Sequence, residues 1–306
     1  MTDAVVRADG VTKRWGATVA LDEATFEIGS GITGLLGANG AGKTTMLGLV
    51  LGLYRPEGGA ITVLDRDPWT AGPEVRARIG WAPEHDALPP DVPAFDAVRH
   101  LAEVHGLPNT EASGRASDAL WVVGLGEERF RAVGTMSTGQ RQRVKLAQAI
   151  AHDPALVLLD EPTNGLDPVQ REEMLGLIRH VGHDLGLDVV LSSHLLEEVE
   201  RTCDSVVILD EGRAVAQGGI AELRAIGGTR AELIVEVDGG DDAVSAVVAR
   251  LDGVAVDVDG SRLVVELSGD DVYDLVRDAV ADTGVALRLL QRRTRSLEDV
   301  YLDARG

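Results

Sequence analysis

The stretch GANGAGKTT, from Gly37 to Thr45, constrains the fold of this chain more than any other. It fits the pattern G-x-x-x-x-G-K-[ST], with Gly37, Gly42, Lys43 and Thr44 in the required places. Glycines let backbone N–H groups turn inward around phosphate oxygens, and a following helix points its positive end at the same anion. The apolar run GITGLLG predicts a buried strand before the loop, and TTMLGLVLGL predicts a helix after it. The stretch therefore predicts a nucleoside triphosphate site instead of a glycine-rich surface turn.

The residues of such a loop have different roles in binding a triphosphate. Lys43 would neutralise the outer phosphates, and the Thr44 hydroxyl would bind a Mg²⁺ ion that holds β- and γ-phosphate oxygens together. The loop residues expected to contact the nucleotide are Gly37, Asn39, Gly40, Ala41, Gly42, Lys43, Thr44 and Thr45. This chemistry alone is compatible with kinases, GTPases and many ATPases.

The length of 306 residues suits one large domain and one small domain. No run approaches the ~18 uninterrupted apolar residues that span a bilayer, and the first residues, MTDAVVRADG, lack a signal-peptide pattern. We therefore expect a soluble, cytosolic protein whose membrane role, if it has one, requires a partner.

The charge balance restricts the partners further. A formal net charge of −21 argues against general binding to a nucleic-acid backbone, which needs a basic face, so no nucleic-acid partner is expected. Only three lysines accompany 26 arginines, and acidic residues are spread along the chain. Because counter-ions in a salt-rich cytoplasm screen such self-repulsion, we hypothesise a halophilic source. Equal stability in low and molar salt would remove support for that hypothesis. Cys203 is the only cysteine, which excludes an internal disulfide and a cysteine-based zinc site.

The segments around the loop alternate in polarity. AVVRADG and ATVALDEATFEIGSG predict paired strands, and GGAITVLDRD and RARIGWAPE are further strand candidates. Trp15 lies in KRWG, which is typical of a polar turn. Its ring is either a core aromatic or an exposed surface that stacks on adenine, and spacing alone leaves both interpretations open.

The pattern becomes helical soon after Glu84, in VPAFDAVRHLAEVHGL and again in EASGRASDALWVVGL, which predicts a helical insertion. His85, His100 and His105 lie in this part of the chain without an acidic or cysteine partner at metal spacing. We therefore predict that these are solvated or packing histidines.

A second candidate anion site lies in TMSTGQRQRVK. The residues Ser137, Thr138, Gly139 and Gln140 introduce a helix that carries arginine and lysine side chains. The start of such a helix offers free backbone donors and a hydroxyl in a locally basic setting.

Two later strands end in chemically useful side chains. ALVLLDE places Asp160 and Glu161 at its tip, and LDVVLSSH delivers His194. Side chains at the carboxyl tips of parallel strands face the ligand crevice. Asp160 is placed to act on Mg²⁺, Glu161 to orient or deprotonate a water, and His194 to donate to a γ-phosphate oxygen. The alternatives are two solvated acids and a structural histidine.

Together these pieces resemble the ATP-binding subunit of an ABC transporter over roughly residues 3 to 225. The glycine loop resembles the Walker A motif, and Leu156 to Asp160 resembles the Walker B strand with Glu161 after it. MSTGQ resembles the signature motif, and GLDP, which contains Asp167, resembles the D-loop.

The resemblance assigns further roles and implies ATP and Mg²⁺ as ligands. His194 takes the place of the switch histidine, and Trp15 matches the aromatic residue that stacks on adenine. Glu84 stands at the Q-loop position, where it replaces the usual glutamine, keeps an oxygen for Mg²⁺ or the attacking water, and adds a charge. Thr138 replaces the second residue of the common LSGGQ form, although Ser137 and Gly139 are intact. Family members pair head to tail, each loop facing the partner's signature, so catalysis should need a dimer.

The C-terminal segment predicts a separate small domain. After GGTR, which is typical of a linker, the order strand, helix, strand, strand, helix, strand suggests a ferredoxin-like α+β unit. The final SLEDVYLDA predicts a short helix and resembles the tail of ATPases that serve ABC-2-type permeases in drug, antibiotic and polysaccharide export. The first predicted domain is residues 1–226, with a helical subdomain at about 85–150. The second is residues 227–306, and the commonest role of such a domain is dimer support or regulation.

The predicted fold is therefore α/β: a P-loop NTPase domain with an antiparallel β subdomain and a helical subdomain, followed by the small α+β domain. The predicted function is an ATPase subunit that powers an ABC-2-type exporter. It would pair with itself or another ATPase subunit and with a separate transmembrane permease, on the cytoplasmic face of the membrane. The predicted catalytic residues are Lys43, Glu84, Glu161 and His194, and the predicted Mg²⁺ ligands are Thr44, Asp160 and Glu84.

Two other functions are weaker fits. A mechanical ATPase of translation or DNA repair would usually carry a second ATPase domain, long heptads or zinc modules, which this sequence lacks. A nucleotide-gated binding protein without turnover is disfavoured because Glu161 is present.

Overall fold

The computed structural model of the chain describes residues 4–85, 88–223, 231–251, 253–267 and 271–293. The chain divides into two compact units between Ile220 and Ala221. The boundary predicted at residue 226, the linker GGTR and the tail SLEDVYLDA lie outside the described residues.

The first unit contains two sheets and a set of helices. Its strands are β1 (Val6–Trp15), β2 (Thr18–Ile28), β3 (Ile32–Leu36), β4 (Gly58–Val63), β5 (Ile79–Ala82), β6 (Leu156–Asp160), β7 (Asp188–Ser193), β8 (Ser205–Asp210) and β9 (Arg213–Gly219). Its α-helices are α1 (Lys43–Val50), α2 (Gly72–Arg76), α3 (Ala94–Val104), α4 (Asn109–Val122), α5 (Thr138–Ile150), α6 (Pro168–Arg179) and α7 (Leu196–Thr202). Short 3₁₀ turns lie at Gly126–Phe130 and Val133–Thr135, and a π turn at His180–Asp184.

The smaller sheet is antiparallel, with the strand order β2-β1-β4. Strand β1 continues to Trp15, where the sequence predicted a polar turn. It does so because Trp15 pairs with Thr18 across the hairpin and is therefore held in the ladder.

The larger sheet has the order β5-β6-β7-β3-β8-β9, in which β9 runs antiparallel to β8 and the other neighbours are parallel. Every residue of β3 and β6 is buried, which explains their continuous apolar sequences, since a central parallel strand is covered on both faces. Strands β6, β7 and β3 are neighbours. The loops that follow them therefore meet at one edge of the sheet, where α/β folds bind ligands.

The helical stretch predicted after Glu84 is observed as α3 and α4, which pack with α5. On α4 the buried residues are Ala112, Ala116, Ala119 and Leu120. Their spacing of three and four residues forms one apolar stripe along the helix. Because most of these side chains are small, the helices can approach closely above the larger sheet.

The second unit is an α+β sandwich. Its elements are β10 (Ala231–Val237), α8 (Gly240–Val248), β11 (Val256–Asp259), β12 (Arg262–Leu267), α9 (Asp271–Thr283) and β13 (Leu287–Arg293). The sheet order is β11-β12-β10-β13 with antiparallel neighbours. Alternate residues of β10, namely Leu233, Val235 and Val237, join residues of both helices in the core. This connectivity and strand order confirm the predicted ferredoxin-like fold.

In the described ranges, no helix combines the length and the apolar character needed to cross a membrane.

Candidate nucleotide-binding site

The glycine loop joins the central strand β3 to helix α1 and borders an open cleft of about 500 Å³. Gly42 has a φ of 104°, and a Cβ atom there would lie 2.5 Å from the carbonyl oxygen of Ala20, so only glycine fits. Helix α1 begins immediately afterwards and has no side-chain hydrogen bond at its start. Its first N–H groups therefore remain available for an anion in the cleft.

Most of the predicted loop residues line this cleft, namely Asn39, Gly40, Gly42, Lys43, Thr44 and Thr45. Gly37 and Ala41 do not line it. The Gly37 N–H lies 3.3 Å from the Ser193 carbonyl oxygen, to which it donates, and Ala41 is buried. These two residues therefore shape the loop from behind.

The Lys43 ammonium is buried at the bottom of the loop. Its Nζ donates to the Gly37 carbonyl at 2.6 Å and lies 3.1 Å from Glu161 Oε1. Only 6 % of Lys43 is exposed, so this charge depends on its partners for compensation. A phosphate entering the cleft would replace Glu161 as the counter-charge of Lys43.

Asp160 ends β6 beside Ser192 of β7, because the parallel register pairs these two residues. Ser192 Oγ donates to Asp160 Oδ1 at 2.5 Å, and Thr44 Oγ1 donates to Asp160 Oδ2 at 3.2 Å. Burial raises the pKa of the Asp160 carboxyl, and the charges of Glu84 and Glu161 raise it further, although the two hydroxyl hydrogen bonds oppose the shift. A hydroxyl and a carboxylate thus lie together at the cleft, and both are oxygen donors of the kind that Mg²⁺ prefers.

Glu161 is held between two predicted catalytic residues. Its Oε1 faces Lys43, and its Oε2 lies 2.8 Å from His194 Nδ1. Its own N–H donates to Ser192 Oγ at 3.0 Å. The backbone of Glu161 has a φ of 47°, a left-handed conformation that is strained for a residue with a side chain. The turn after β6 therefore aims this carboxylate into the cleft.

Glu84 lines the opposite side of the cleft, two residues beyond the end of β5. The predicted strand RARIGWAPE stops at Ala82, because Pro83 has no N–H to donate to a ladder. Glu84 Oε1 accepts a hydrogen bond from Asn164 Nδ2 at 3.0 Å, and the Glu84 backbone carbonyl accepts one from Lys145 Nζ at 2.8 Å. The carboxylate of Glu84 is thus bonded to the segment after β6, and its backbone to α5.

Trp15 lies beside the glycine loop, and 47 % of it is exposed. Its Nε1 donates to Thr45 Oγ1 at 3.4 Å, its ring meets Tyr54 edge-on at 4.8 Å, and Lys13 Nζ lies 4.8 Å from the ring centre. The core interpretation of Trp15 is therefore wrong. The ring has the exposure that stacking on a base requires.

The signature residues lie outside the cleft described above. Ser137 and Gly139 line a second cleft together with Gln140. Ser137 Oγ accepts from the Gln140 N–H, and Gln140 Oε1 accepts from the Ser137 N–H, which is a complete capping box for α5. In a single copy of the chain, the structure does not bring the glycine loop and the signature into one pocket.

The other predicted residues have ordinary local roles in this structure. Asp167, in the D-loop, caps α6 by accepting from the Gln170 N–H at 2.8 Å. His105 stacks on His152 with ring centres 3.7 Å apart, and the side chain of His100 is 71 % exposed.

Two polar residues of the site, Ser192 and Asn164, are not among those predicted from the sequence. Ser192 bridges Asp160 and the Glu161 backbone, and Asn164 binds Glu84 and lines the cleft. The motif LSSH placed two hydroxyl groups just before His194, but which of them meets the carboxylate of the neighbouring strand depends on the register of β6 and β7. Asn164 carried no signal in the sequence.

These features define an ATPase site of the phosphate-loop class: an anion-binding loop, a carboxylate with a hydroxyl beside it, and a second carboxylate in contact with lysine and histidine. The family model described as "ABC transporter" matches residues 21–164 of the chain.

Curated relatives extend the match to both units. The chain is 32 % identical over 310 residues to the daunorubicin resistance ATP-binding protein DrrA3 of Streptomyces coeruleorubidus, covering 100 % of this chain and 97 % of the relative. It is 31 % identical over 309 residues to the Nod factor export ATP-binding protein I of Cupriavidus pinatubonensis, covering 99 % and 91 %.

A solved structure of a dimeric ATP-binding cassette in a post-hydrolysis state, bound to ADP and phosphate, superimposes with a TM-score of 0.62 at 25 % identity. That match covers 70 % of this chain and 98 % of the cassette. The chain belongs to the ABC transporter family, and it is an ATP-binding subunit with ATPase activity.

Proposed function

We propose that this ATPase powers an ABC-2-type exporter and that its catalytic unit is a head-to-tail pair of subunits. The observation that carries the pairing is the separation of the two phosphate-binding surfaces within one copy. The glycine-loop cleft holds Lys43, Glu161 and His194, whereas Ser137 and Gly139 line a different cleft. A second copy in the opposite orientation would supply its signature to the first copy's nucleotide. The dimeric cassette with ADP and phosphate is a precedent of the same fold.

In this proposal each side chain of the cleft has a defined task. Lys43 and the uncapped N–H groups of α1 stabilise charge on the transferring phosphoryl group. Glu161 orients or deprotonates the attacking water, and His194, already bonded to Glu161, donates to the γ-phosphate. Trp15 stacks on the adenine. In this scheme ATP binding closes the pair of subunits, and hydrolysis reopens it.

Mg²⁺ fits the donor set of this site. Thr44 and Asp160 would hold it. Glu84 would be a further ligand, although its Oε1 already accepts a hydrogen bond from Asn164. Once bound there, the ion would supply positive charge that offsets the negative charge of the phosphates.

Export is supported by two relatives that align with nearly the whole chain, one named for daunorubicin resistance and the other for Nod factor export. We infer that a separate permease holds the protein at the cytoplasmic face of the membrane and that the helical segment α3–α4 transmits motion to it. The halophilic source also stays a hypothesis, resting on the net charge of −21.

The central experiment uses Glu161→Gln, which keeps the size of the side chain and removes the base. We expect the variant to bind Mg·ATP and to run as a dimer in light scattering, while phosphate release falls by about 10²- to 10³-fold, the typical cost of removing one transition-state group. The matched control is Glu111→Gln on the exposed start of α4, which should retain wild-type turnover.

Undiminished turnover of Glu161→Gln would falsify the catalytic assignment. A variant that stays monomeric at saturating Mg·ATP would contradict the pairing. Purification of the full chain from detergent extracts tests export separately, since a stoichiometric membrane protein supports it, whereas bound ribosomes or DNA would support a mechanical ATPase instead.

A further inference from the structure

One buried carboxylate lies behind the cleft and contacts both segments that carry the candidate catalytic residues. Glu198, in α7, is 3 % exposed. Its Oε2 accepts a hydrogen bond from Thr163 Oγ1 at 2.9 Å and another from Ser193 Oγ at 2.8 Å. Its Oε1 lies 3.3 Å from Arg171 Nε on α6. One side chain therefore connects the loop after β6, the last residue of β7 and the helix α6.

A buried carboxylate contributes little net stability to a fold, because its charge must be desolvated. Burying the ion pair with Arg171 costs desolvation energy, and apolar residues of similar volume are often as stable or more stable. What Glu198 provides, and an apolar side chain would not, is one acceptor shared by two hydroxyl groups from different segments. The contact with Thr163 and Ser193 is therefore the feature that requires an explanation.

Each hydroxyl fixes the backbone next to a candidate catalytic residue. Ser193 precedes His194, and its Oγ also accepts from the Leu195 N–H at 3.0 Å, so it holds the chain on both sides of the histidine. Thr163 follows Glu161 by two residues, in the turn where Glu161 adopts its left-handed backbone. The 2.8 Å distance between His194 Nδ1 and Glu161 Oε2 thus depends on both anchors.

We propose that Glu198 is a positioning residue that keeps Glu161 and His194 in register for hydrolysis and links them to α6, which begins at the D-loop. This inference rests on the proposed roles of Glu161 and His194. Glu198 does not line the nucleotide cleft, so its effect is on kcat and not on nucleotide affinity. Misplacement of a reacting group by about 1 Å can cost about 10²-fold in rate.

The test removes the two hydroxyl groups and leaves the Glu198–Arg171 ion pair intact. In the full chain, Thr163→Val with Ser193→Ala should lower kcat for Mg·ATP hydrolysis about 10- to 100-fold, with KM within about twofold of wild type, as expected for lost orientation. Glu198→Gln should lower kcat in the same direction. The matched control is Glu197→Gln, because Glu197 is adjacent, 82 % exposed and paired only with Arg201 in the contacts of the described chain, and it should leave kcat unchanged.

A second readout follows the histidine itself. In protein with ¹³Cε1-labelled histidine, the His194 resonance is identified by its loss in His194→Ala. It should shift in Thr163→Val with Ser193→Ala and stay in place in Glu197→Gln. Wild-type kcat together with an unshifted His194 resonance, accompanied only by a lower melting temperature, would overturn the proposal and leave Glu198 a purely structural residue.

The parallel Glu161→Gln measurement separates the two levels of inference. If Glu161→Gln keeps its turnover, the proposed catalytic assignment fails. If Glu161→Gln is inactive and the Thr163 and Ser193 variants keep wild-type kcat, only the positioning role of Glu198 fails.

Discussion

Helices α1 and α5 both begin at surfaces proposed to bind phosphate, yet their first turns differ. Helix α1 follows the left-handed Gly42 and has no side-chain cap, whereas α5 starts with the reciprocal hydrogen bonds of Ser137 and Gln140. Neither helix has an acidic residue in its first turn. The N–H groups of α1 are left for a ligand, but one of those of α5 is already satisfied by the protein. A triphosphate therefore gains hydrogen bonds at α1 and only exchanges them at α5.

This difference orders the binding events. The loop of one copy should bind ATP first, because the first N–H groups of α1 have no side-chain cap. The signature of a second copy should join afterwards, when the γ-phosphate competes with the Ser137–Gln140 hydrogen bonds. Substitutions at the start of α1, at the start of α5 and just after the end of α5 test this difference.

The largest effect is expected at the start of α1, from Gly42→Ala. The new Cβ would lie 2.5 Å from the Ala20 carbonyl oxygen and require a φ of 104°, a left-handed conformation that costs about 1–2 kcal/mol before the clash is counted. We expect the variant to lose that much stability in denaturant unfolding and most of its ATP affinity in equilibrium binding.

The matched control for Gly42→Ala is Gly114→Ala, within α4. A Cβ atom there has no neighbour within 4 Å, and the backbone conformation suits any residue. The free energy of unfolding should therefore rise by about 0.5–1 kcal/mol, because alanine is a better helix former than glycine. Normal ATP binding by Gly42→Ala would show that the loop tolerates a side chain and would break the comparison.

A smaller effect is expected at the start of α5, from Ser137→Ala. Loss of the cap should reduce the free energy of unfolding by about 1 kcal/mol. ATP binding to the single subunit should be unchanged, since Ser137 does not line the loop cleft, while turnover of the pair should fall. Ser113→Ala, at a partly exposed serine within α4 that lines neither cleft, is the control for both measurements. Weaker ATP binding by the isolated Ser137→Ala subunit would mean that the two surfaces are not separate.

The smallest effect concerns the end of α5 and depends on pH. Burial, with a smaller contribution from the charge of the stacked His105, lowers the pKa of His152 to about 4. The unfolded chain takes up a proton near pH 6.5, which the folded chain accepts only near pH 4. Stability is therefore lost as pH falls from about 6.5 to 4.

Replacement of His152 tests this dependence. Between pH 7 and 5, His152→Gln should reduce the loss of stability, measured as the change in urea midpoint at constant salt. His100→Gln, at an exposed histidine, should leave that loss unchanged. An identical pH profile for His152→Gln would contradict the assignment. The start of α5 should stay insensitive to pH, because its cap is built from neutral groups.

The features that sequence predicted well are those that depend on neighbours in the chain. The loop around Lys43 and the start of α5 at Ser137 follow from local spacing, because helix caps and glycine turns are decided within a few residues. The ferredoxin-like order of the second unit follows from the alternation of β10 and β12 and from the short connections between elements.

The features that sequence could not predict depend on register between distant strands. Ser192 acts on Asp160 because β6 and β7 pair in one register, and a slip of one residue would turn its hydroxyl away. Glu198 follows the exposed Glu197 on the same helix, and burial alone distinguishes the two residues. The Trp15 contact with Tyr54 likewise joins residues far apart in the chain, one on β1 and one after α1.

The left-handed backbone of Glu161 has a consequence for how this protein can change over time. At that position the backbone taken alone would favour glycine, by roughly 1 kcal/mol or more. A glycine would also remove the carboxylate that faces the buried Lys43 ammonium, and removing one partner of a buried ion pair is costly. The strained turn and the buried lysine are therefore linked: as long as Lys43 stays in the loop, relief of the backbone at residue 161 leaves a buried charge with one counter-charge fewer.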